Sequence, residues 1–520
     1  MNLSGSDGAE SPIAAPLTFR DAIVYEIYPK SFCDLNGDGI GDLPGITSKL
    51  DYLAALGVNM LWLTPIYPSG GVDGGYDVAD YLGIDPVYGD LDDFTRLVRE
   101  AHARGLGVMM DMVFNHTSSH HPWFVESRLS RDNPKRDWYI WRDGQTPGAP
   151  EVGGTPPDPS DVRCGPAGSP PNNWAGLFGD GPAWTYDAAT EQWYLHLFSS
   201  QQPDLNWDNP EVRAAMADVL RGWIDRGVDG FRFDVISYIS KPEGLPDAPL
   251  DVRGVANPTS TVAHGPHVHE YLRELRRAMN EPPRVAGVSR VFDLPVCVGE
   301  AAGVRLEHAA RYAPSDGSEL DMVFQFEVND LDGGESDRWN TRRINFCDFV
   351  AVMEKWQRSG VWNALFLSNH DEPRPIERFT GHPLPEDPQH RAEALAATYL
   401  ALRGTPFIYQ GEELGMTNMV WQHPDQLRDV EGISGYQLLR GRGLSEREAL
   451  DIVGAKGRDS ARTPMQWNAE PGAGFTTGEP WIAINPNHVT INAAAQEDDP
   501  RSLLNYYRTL LRLRRDASSE

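Results

Sequence analysis

The sequence predicts an α/β fold, a (β/α)8 TIM barrel with one inserted subdomain between the third strand and the third helix. Three observations predict it. Eight short apolar runs recur along the chain, each followed by a turn and an amphipathic stretch, the alternation that a parallel barrel requires. Between the third and fourth runs lies a long stretch, from about His116 to Pro210, dense in Pro, Gly, Asp and Trp and far too long for a structureless connection. Hydrophobic residues fill 40% of 520 positions, enough to bury a large core and well above a disordered composition.

Residues 1–20, rich in Ser, Gly, Ala and Pro, read as a loose leader, with order beginning near Asp21. The eight strand candidates are Ile23 to Tyr28, Val58 to Leu63, Gly107 to Met112, Val228 to Phe233, Val296 to Gly299, Met322 to Phe326, Ala364 to Leu367 and Pro406 to Tyr409. Residues 21–115 form the first part of the barrel, 116–210 the insertion and 211–520 the remainder, with Ser502 to Arg514 as the last barrel helix. Insertions of this kind sit on the C-terminal face of a barrel, so this one is expected to wall the substrate pocket.

The formal net charge of -29 makes nucleic acid and anionic membranes poor partners, and reads as a solvated, soluble surface. Cys33, Cys164, Cys297 and Cys347 are widely spaced and form no CxxC pair, so neither a zinc site nor a disulfide framework is signalled. No stretch has the length or apolarity of a signal peptide or membrane span, and a cytoplasmic location is expected.

Four segments end in polar residues at the C-terminal ends of proposed strands. They are Asp111 to His116 (Asp-Met-Val-Phe-Asn-His), Gly230 to Val235 (Gly-Phe-Arg-Phe-Asp-Val), Val298 to Ala301 (Val-Gly-Glu-Ala) and Ser368 to Asp371 (Ser-Asn-His-Asp). In this order, at the strand ends of one barrel, they resemble the conserved regions of the α-amylase family of glycoside hydrolases, and the resemblance runs from about Asp21 to Arg514. A retaining glycosidase needs one carboxylate to attack the anomeric carbon and a second, roughly 5 to 5.5 Å away, to protonate the leaving oxygen.

The resemblance assigns these roles to Asp234 as nucleophile and Glu300 as acid/base, with Arg232 expected to keep Asp234 ionised. Asp371 matches the family's third carboxylate, which binds sugar hydroxyls and favours the distorted ring, while His116 and His370 match partners of the same glucose. In exo-acting members an Asp and an Arg close the pocket behind the non-reducing glucose, which points to Asp77 in Gly75 to Tyr81 and to Arg458 in Arg458 to Trp467, with Tyr81 stacking under the ring.

The run from Asp34 to Asp42 places oxygen-bearing side chains at alternate positions, as an EF-hand does, but Gly45 stands where that loop needs its bidentate Glu. In the resembling family this run is a structural calcium or magnesium loop, with Asp34, Asn36, Asp38, the Ile40 carbonyl and Asp42 as expected ligands.

Gln202 to Asn206 and the run from Asp234 to Lys241 resemble the oligo-1,6-glucosidase branch, in which Val at position 235 accompanies α-1,6 cleavage. The resemblance thus implies an exo-acting α-glucosidase taking oligosaccharides or disaccharides, with no organic cofactor. Transglucosidases, trehalose synthases and sucrose isomerases share its covalent intermediate, though the Arg-Leu-Asp-Arg-Asp run of sucrose isomerases is missing. A non-catalytic interaction subunit is a third reading, opposed by the intact Asp234, Glu300 and Asp371. Two departures stand out: no β-sandwich pattern follows the barrel, and Phe326 to Asp332 lacks the His found in the branch.

Overall fold

Alternation within each parallel strand decides which side chains enter the barrel. The computed structural model describes residues 17–145, 168–178, 181–251, 254–333, 338–379 and 388–518. Cys164 and most of the expected leader lie outside these residues. The strands in chain order are β1 (Val24–Ile27), β2 (Met60–Leu63), β3 (Gly107–Val113), β4 (Trp141–Arg142), β5 (Trp184–Asp187), β6 (Gln192–Leu195), β7 (Gly230–Asp234), β8 (Val296–Glu300), β9 (Met322–Phe324), β10 (Ala364–Leu365) and β11 (Thr405–Tyr409). Eight of them form one parallel sheet in the order β10-β11-β1-β2-β3-β7-β8-β9, and its two ends, β9 and β10, lie side by side. This is the (β/α)8 barrel, and each of its strands falls on one of the eight apolar runs.

Val24, Met60, Trp62, Met109, Val298, Met322, Phe324 and Phe407 fill the barrel interior as one cluster. Their neighbours Tyr25, Leu61, Leu63, Met110, Met112, Phe231, Phe233 and Ile408 belong to the larger core outside it. Because Phe231 and Phe233 face outward, Arg232 and Asp234 must face inward, and the same rule turns Asp111 inward between Met110 and Met112. The register completes the placement: Asp111 pairs with Arg232, Val113 with Asp234, and Phe233 with Gly299. At Gly299 a Cβ would lie 2.6 Å from the Leu320 side chain and 2.9 Å from that of Ile236, so any larger residue before Glu300 would have to displace them.

Between β3 and the helix Pro210–Ile224 the chain builds a separate antiparallel sheet in the order β4-β6-β5. Trp174, Trp184, Trp193 and Leu195 pack there with Val235, Tyr238 and Ala302. The helix that follows is started by the Asn209 side chain accepting from the Glu211 amide, with Pro210 in its first turn. Cys33 and Cys297 are buried and Cys347 is exposed; all three are free thiols. Among the described residues no helix is long and apolar enough to cross a membrane.

Candidate active site

Three carboxyl groups meet one guanidinium at the C-terminal end of the barrel. Arg232 donates from Nη1 to Asp111 at 2.8 Å and to Asp234 at 2.9 Å, and from Nη2 to Glu300. Tyr76 and the Trp62 indole donate to the other oxygen of Asp111, at 2.9 and 3.1 Å. Burial pushes Asp234 well above the usual carboxylate range; Arg232 opposes this, and Glu300 and Asp111 reinforce it. Asp111 rises to about 6, again chiefly through burial. Arg232 thus favours the ionised form of Asp234, as expected, while burial and the neighbouring carboxyls oppose it. A proton belonging jointly to neighbouring carboxyls is the state from which one can act as acid and another as nucleophile.

The second cluster surrounds Asp371, whose side chain is 35% exposed. Arg462 donates to it at 2.6 Å and Arg458 at 3.4 Å. His370 shares a proton between Nδ1 and Glu26 at 2.6 Å, and burial pushes its pKa down to about 3. The imidazole is thus neutral at pH 7. Enclosure opposes ionisation of Asp371, but the positive charge around it prevails and holds the carboxyl far below its usual range. With His370 neutral, Arg458 and Arg462 supply that charge. A carboxylate kept fully charged beside bare arginines suits hydrogen bonding to sugar hydroxyls and not proton transfer.

Arg458 also binds Asp429 at 2.8 Å and Asp73 at 3.1 Å. The expected partner, Asp77, is elsewhere: it is fully buried and accepts from Ser69 at 2.5 Å and from the Val72 amide and Ser118 at 3.2 Å. Gly74 and Gly75, at φ 59° and 104°, turn the chain between these two aspartates, so Asp73 meets Arg458 while Asp77 braces the turn. Tyr81 is likewise no platform for a sugar. It donates to the Val113 and His116 carbonyls at 2.6 and 3.0 Å and lies in the core. Tyr76 is buried as well, stacked on His370 with centroids 5.2 Å apart. His116 is buried and donates to the Tyr76 carbonyl at 3.0 Å, and so holds that ring's backbone.

Asp73, Tyr76, Asp111, Glu26, Asp429, Arg462 and Gln202 were not singled out from the sequence. Tyr76, Asp111, Gln202 and Arg462 fall inside segments that carry the family resemblance, and the Gln202 amide donates to Asp73 at 3.2 Å. A cavity of about 690 Å³ opens over Trp62, Arg232, Glu300 and Asp371, of a size that accepts a small saccharide.

The Asp34–Asp42 loop lies after β1. Asp34 accepts from the Gly37 and Gly39 amides at 2.7 and 2.8 Å and from Thr476 at 2.5 Å. Asp42 accepts from the Leu35, Asn36 and Gly45 amides, Asn36 from the Asp38 amide and Asp38 from the Ile40 amide. The side-chain oxygens thus organise the loop's own backbone, and among the described residues no three Asp, Glu, His or Cys side chains converge as a metal-binding group.

The family model described as Alpha amylase, catalytic domain, matches residues 26–519. The oligo-1,6-glucosidase of Halalkalibacterium halodurans is 43% identical over 505 residues, 96% of this chain and 83% of that protein. The trehalose-6-phosphate hydrolase of Escherichia coli is 43% identical over 506 residues, covering 96% of this chain and 84% of its own length. The crystal structure of an isomaltulose synthase mutant from Erwinia rhapontici NX5, in complex with sucrose, superimposes with a TM-score of 0.84 at 40% identity, covering 97% of this chain and 84% of that one.

Proposed function

Because the chain belongs to the α-amylase family of glycoside hydrolases, we propose that it is a retaining, exo-acting α-glucosidase that takes short α-glucosides from their non-reducing ends. The observation that carries the exo reading is the cluster in which Arg458 ties Asp73, Asp371 and Asp429 together, which would block the pocket behind a single glucose. Asp371 takes the hydroxyls of that glucose. Asp234 attacks its anomeric carbon while Glu300 gives a proton to the leaving oxygen; Glu300 then takes a proton from water, which releases glucose as the α-anomer. Incubation with isomaltose, maltose, sucrose and trehalose, with products followed by proton NMR, tests this. A β-anomer as first product would rule out retention.

A second reading uses the same intermediate but passes glucose to a sugar acceptor, and the likeness to an isomaltulose synthase in complex with sucrose favours it. Isomerised or transferred products in the same incubation would select it.

Linkage preference is assigned to Val235, favouring α-1,6 bonds with α-1,4 bonds also accepted. Val235 directly follows the nucleophile, at φ 35°, and packs with Ala302, which lines the cavity. Val235→Thr keeps the β-branch and hence the strained backbone, so its effect isolates the methyl group. It is expected to shift the isomaltose-to-maltose ratio of kcat/KM towards maltose by up to about tenfold to two-hundredfold. An unchanged ratio in a stable variant would place the determinant in the insertion.

The Asp34–Asp42 loop is proposed to hold calcium or magnesium, since its donors are all oxygens, as hard cations require. A cation bound only by the folded state stabilises it, so chelation is expected to lower Tm without changing the pH profile of the remaining activity. A Tm indifferent to chelator and to added calcium or magnesium, in protein free of metal by elemental analysis, would refute the assignment.

A further inference from the structure

The departure noted between Phe326 and Asp332 falls on the wall of the catalytic cavity, where Asn329 is 7% exposed. Its Nδ2 donates to Glu372 at 2.9 Å, and Arg378 holds the other oxygen of Glu372 at 2.6 Å. A carboxylate accepts from an amide NH2 and repels an amide oxygen, so these contacts fix which way the Asn329 amide faces. Oδ1 is then the free end, and it is buried with no donor among the described residues. A buried acceptor left unpaired is costly, which makes such an atom, on a residue that lines the cavity, a place for a ligand donor. Thr259, on another element lining the same cavity, likewise has a buried hydroxyl without a partner.

The position of Asn329 states which sugar it meets. It follows β9, the strand paired directly with β8, where Glu300 lies beside Phe324. Glu300 faces the leaving oxygen, whereas the glucose pocket is closed by Asp73 and Arg458 from other elements. Resting on the glucosidase reading, we propose that Asn329 is a specificity-determining residue whose Oδ1 accepts a hydrogen bond from a hydroxyl of the sugar on the leaving-group side. Substrates that carry a hydroxylated sugar there gain from it, and those with a plain aromatic leaving group do not.

The test compares isomaltose with 4-nitrophenyl α-glucoside, whose leaving group has no sugar hydroxyl. Asn329→Leu is expected to lower kcat/KM for isomaltose about tenfold more than for the aryl glucoside, since the lost Nδ2–Glu372 bond bears on both substrates and the lost Oδ1 acceptor on isomaltose alone. Equal losses on both substrates would overturn the inference. A series of isomaltoses lacking one hydroxyl at a time on the reducing-side glucose gives a second measurement on the unaltered enzyme. One member should lose about tenfold, and the same member should lose nothing further in Asn329→Leu. No loss at any position, or the same loss in parent and variant, would overturn the inference. Failure of the parent enzyme to cleave the aryl glucoside would instead bring down the glucosidase reading and this proposal with it.

Discussion

Glu300→Gln and Asp234→Asn are expected to reduce turnover of natural disaccharides by roughly four orders of magnitude or more while the barrel stays folded, because each removes half of a two-carboxylate mechanism. Leaving-group chemistry separates the two variants. An aryl glucoside whose leaving group needs no proton should give a burst with Glu300→Gln and trap glucosyl-enzyme, whereas Asp234→Asn should give none. Stability should move the other way. Asp234 has a folded-state pKa raised above its unfolded value, chiefly by burial, so its contribution is fully present at low pH and is lost as pH rises through the folded value. Asn removes that loss, and the gain in Tm of Asp234→Asn over the parent should therefore grow between pH 5 and 8. A gain that shrinks with pH would show that Arg232 outweighs burial at this site.

The second large effect concerns the two aspartates of the turn after β2. Asp73→Ala is expected to lower kcat/KM for a disaccharide by about a hundredfold, the loss of a charge-assisted contact at the glucose pocket, with little change in Tm. The fold should tolerate it because Arg458 keeps Asp429 at 2.8 Å. Asp77→Ala should do the reverse: it strands the Ser69 and Ser118 hydroxyls and the Val72 amide, and should cost about 2 to 4 kcal/mol of stability. Reversal of these two outcomes, by steady-state kinetics and thermal melts, would restore Asp77 as the sugar-binding residue.

The same pair shows what the sequence could reveal. Barrel strands announce themselves because each must be apolar on both faces, and an insertion announces itself by length. Asp234 and Glu300 stand at strand ends, where position along the strand almost dictates position in space. Asp73 and Asp77 share a turn, and which of them meets Arg458 depends on two left-handed glycines whose dihedral angles no pattern of residue types specifies. The same turn decides that Tyr76 stacks on His370 while Tyr81 lies in the core. Glu26 was hidden differently: it lies inside an apolar run, and its partner His370 is 344 residues away. Long-range polar pairs of this kind leave no periodic trace in either partner's neighbourhood.

The pocket's clamp is also its most non-local part. Arg458 reaches Asp73 across 385 residues, and Thr476 reaches Asp34 across 442. Closing contacts of such separation demands that much of the intervening chain be ordered first, and this slows the step that makes them. Barrel closure is just as non-local, since Val24 of β1 pairs with Phe407 of β11, so closing the barrel and completing the site draw on the same long-range ordering. What β7 and β8 fix locally is the register of Asp234 and Glu300, whereas the Arg458–Asp73 contact proposed to grip the sugar depends on the two ends of the chain meeting.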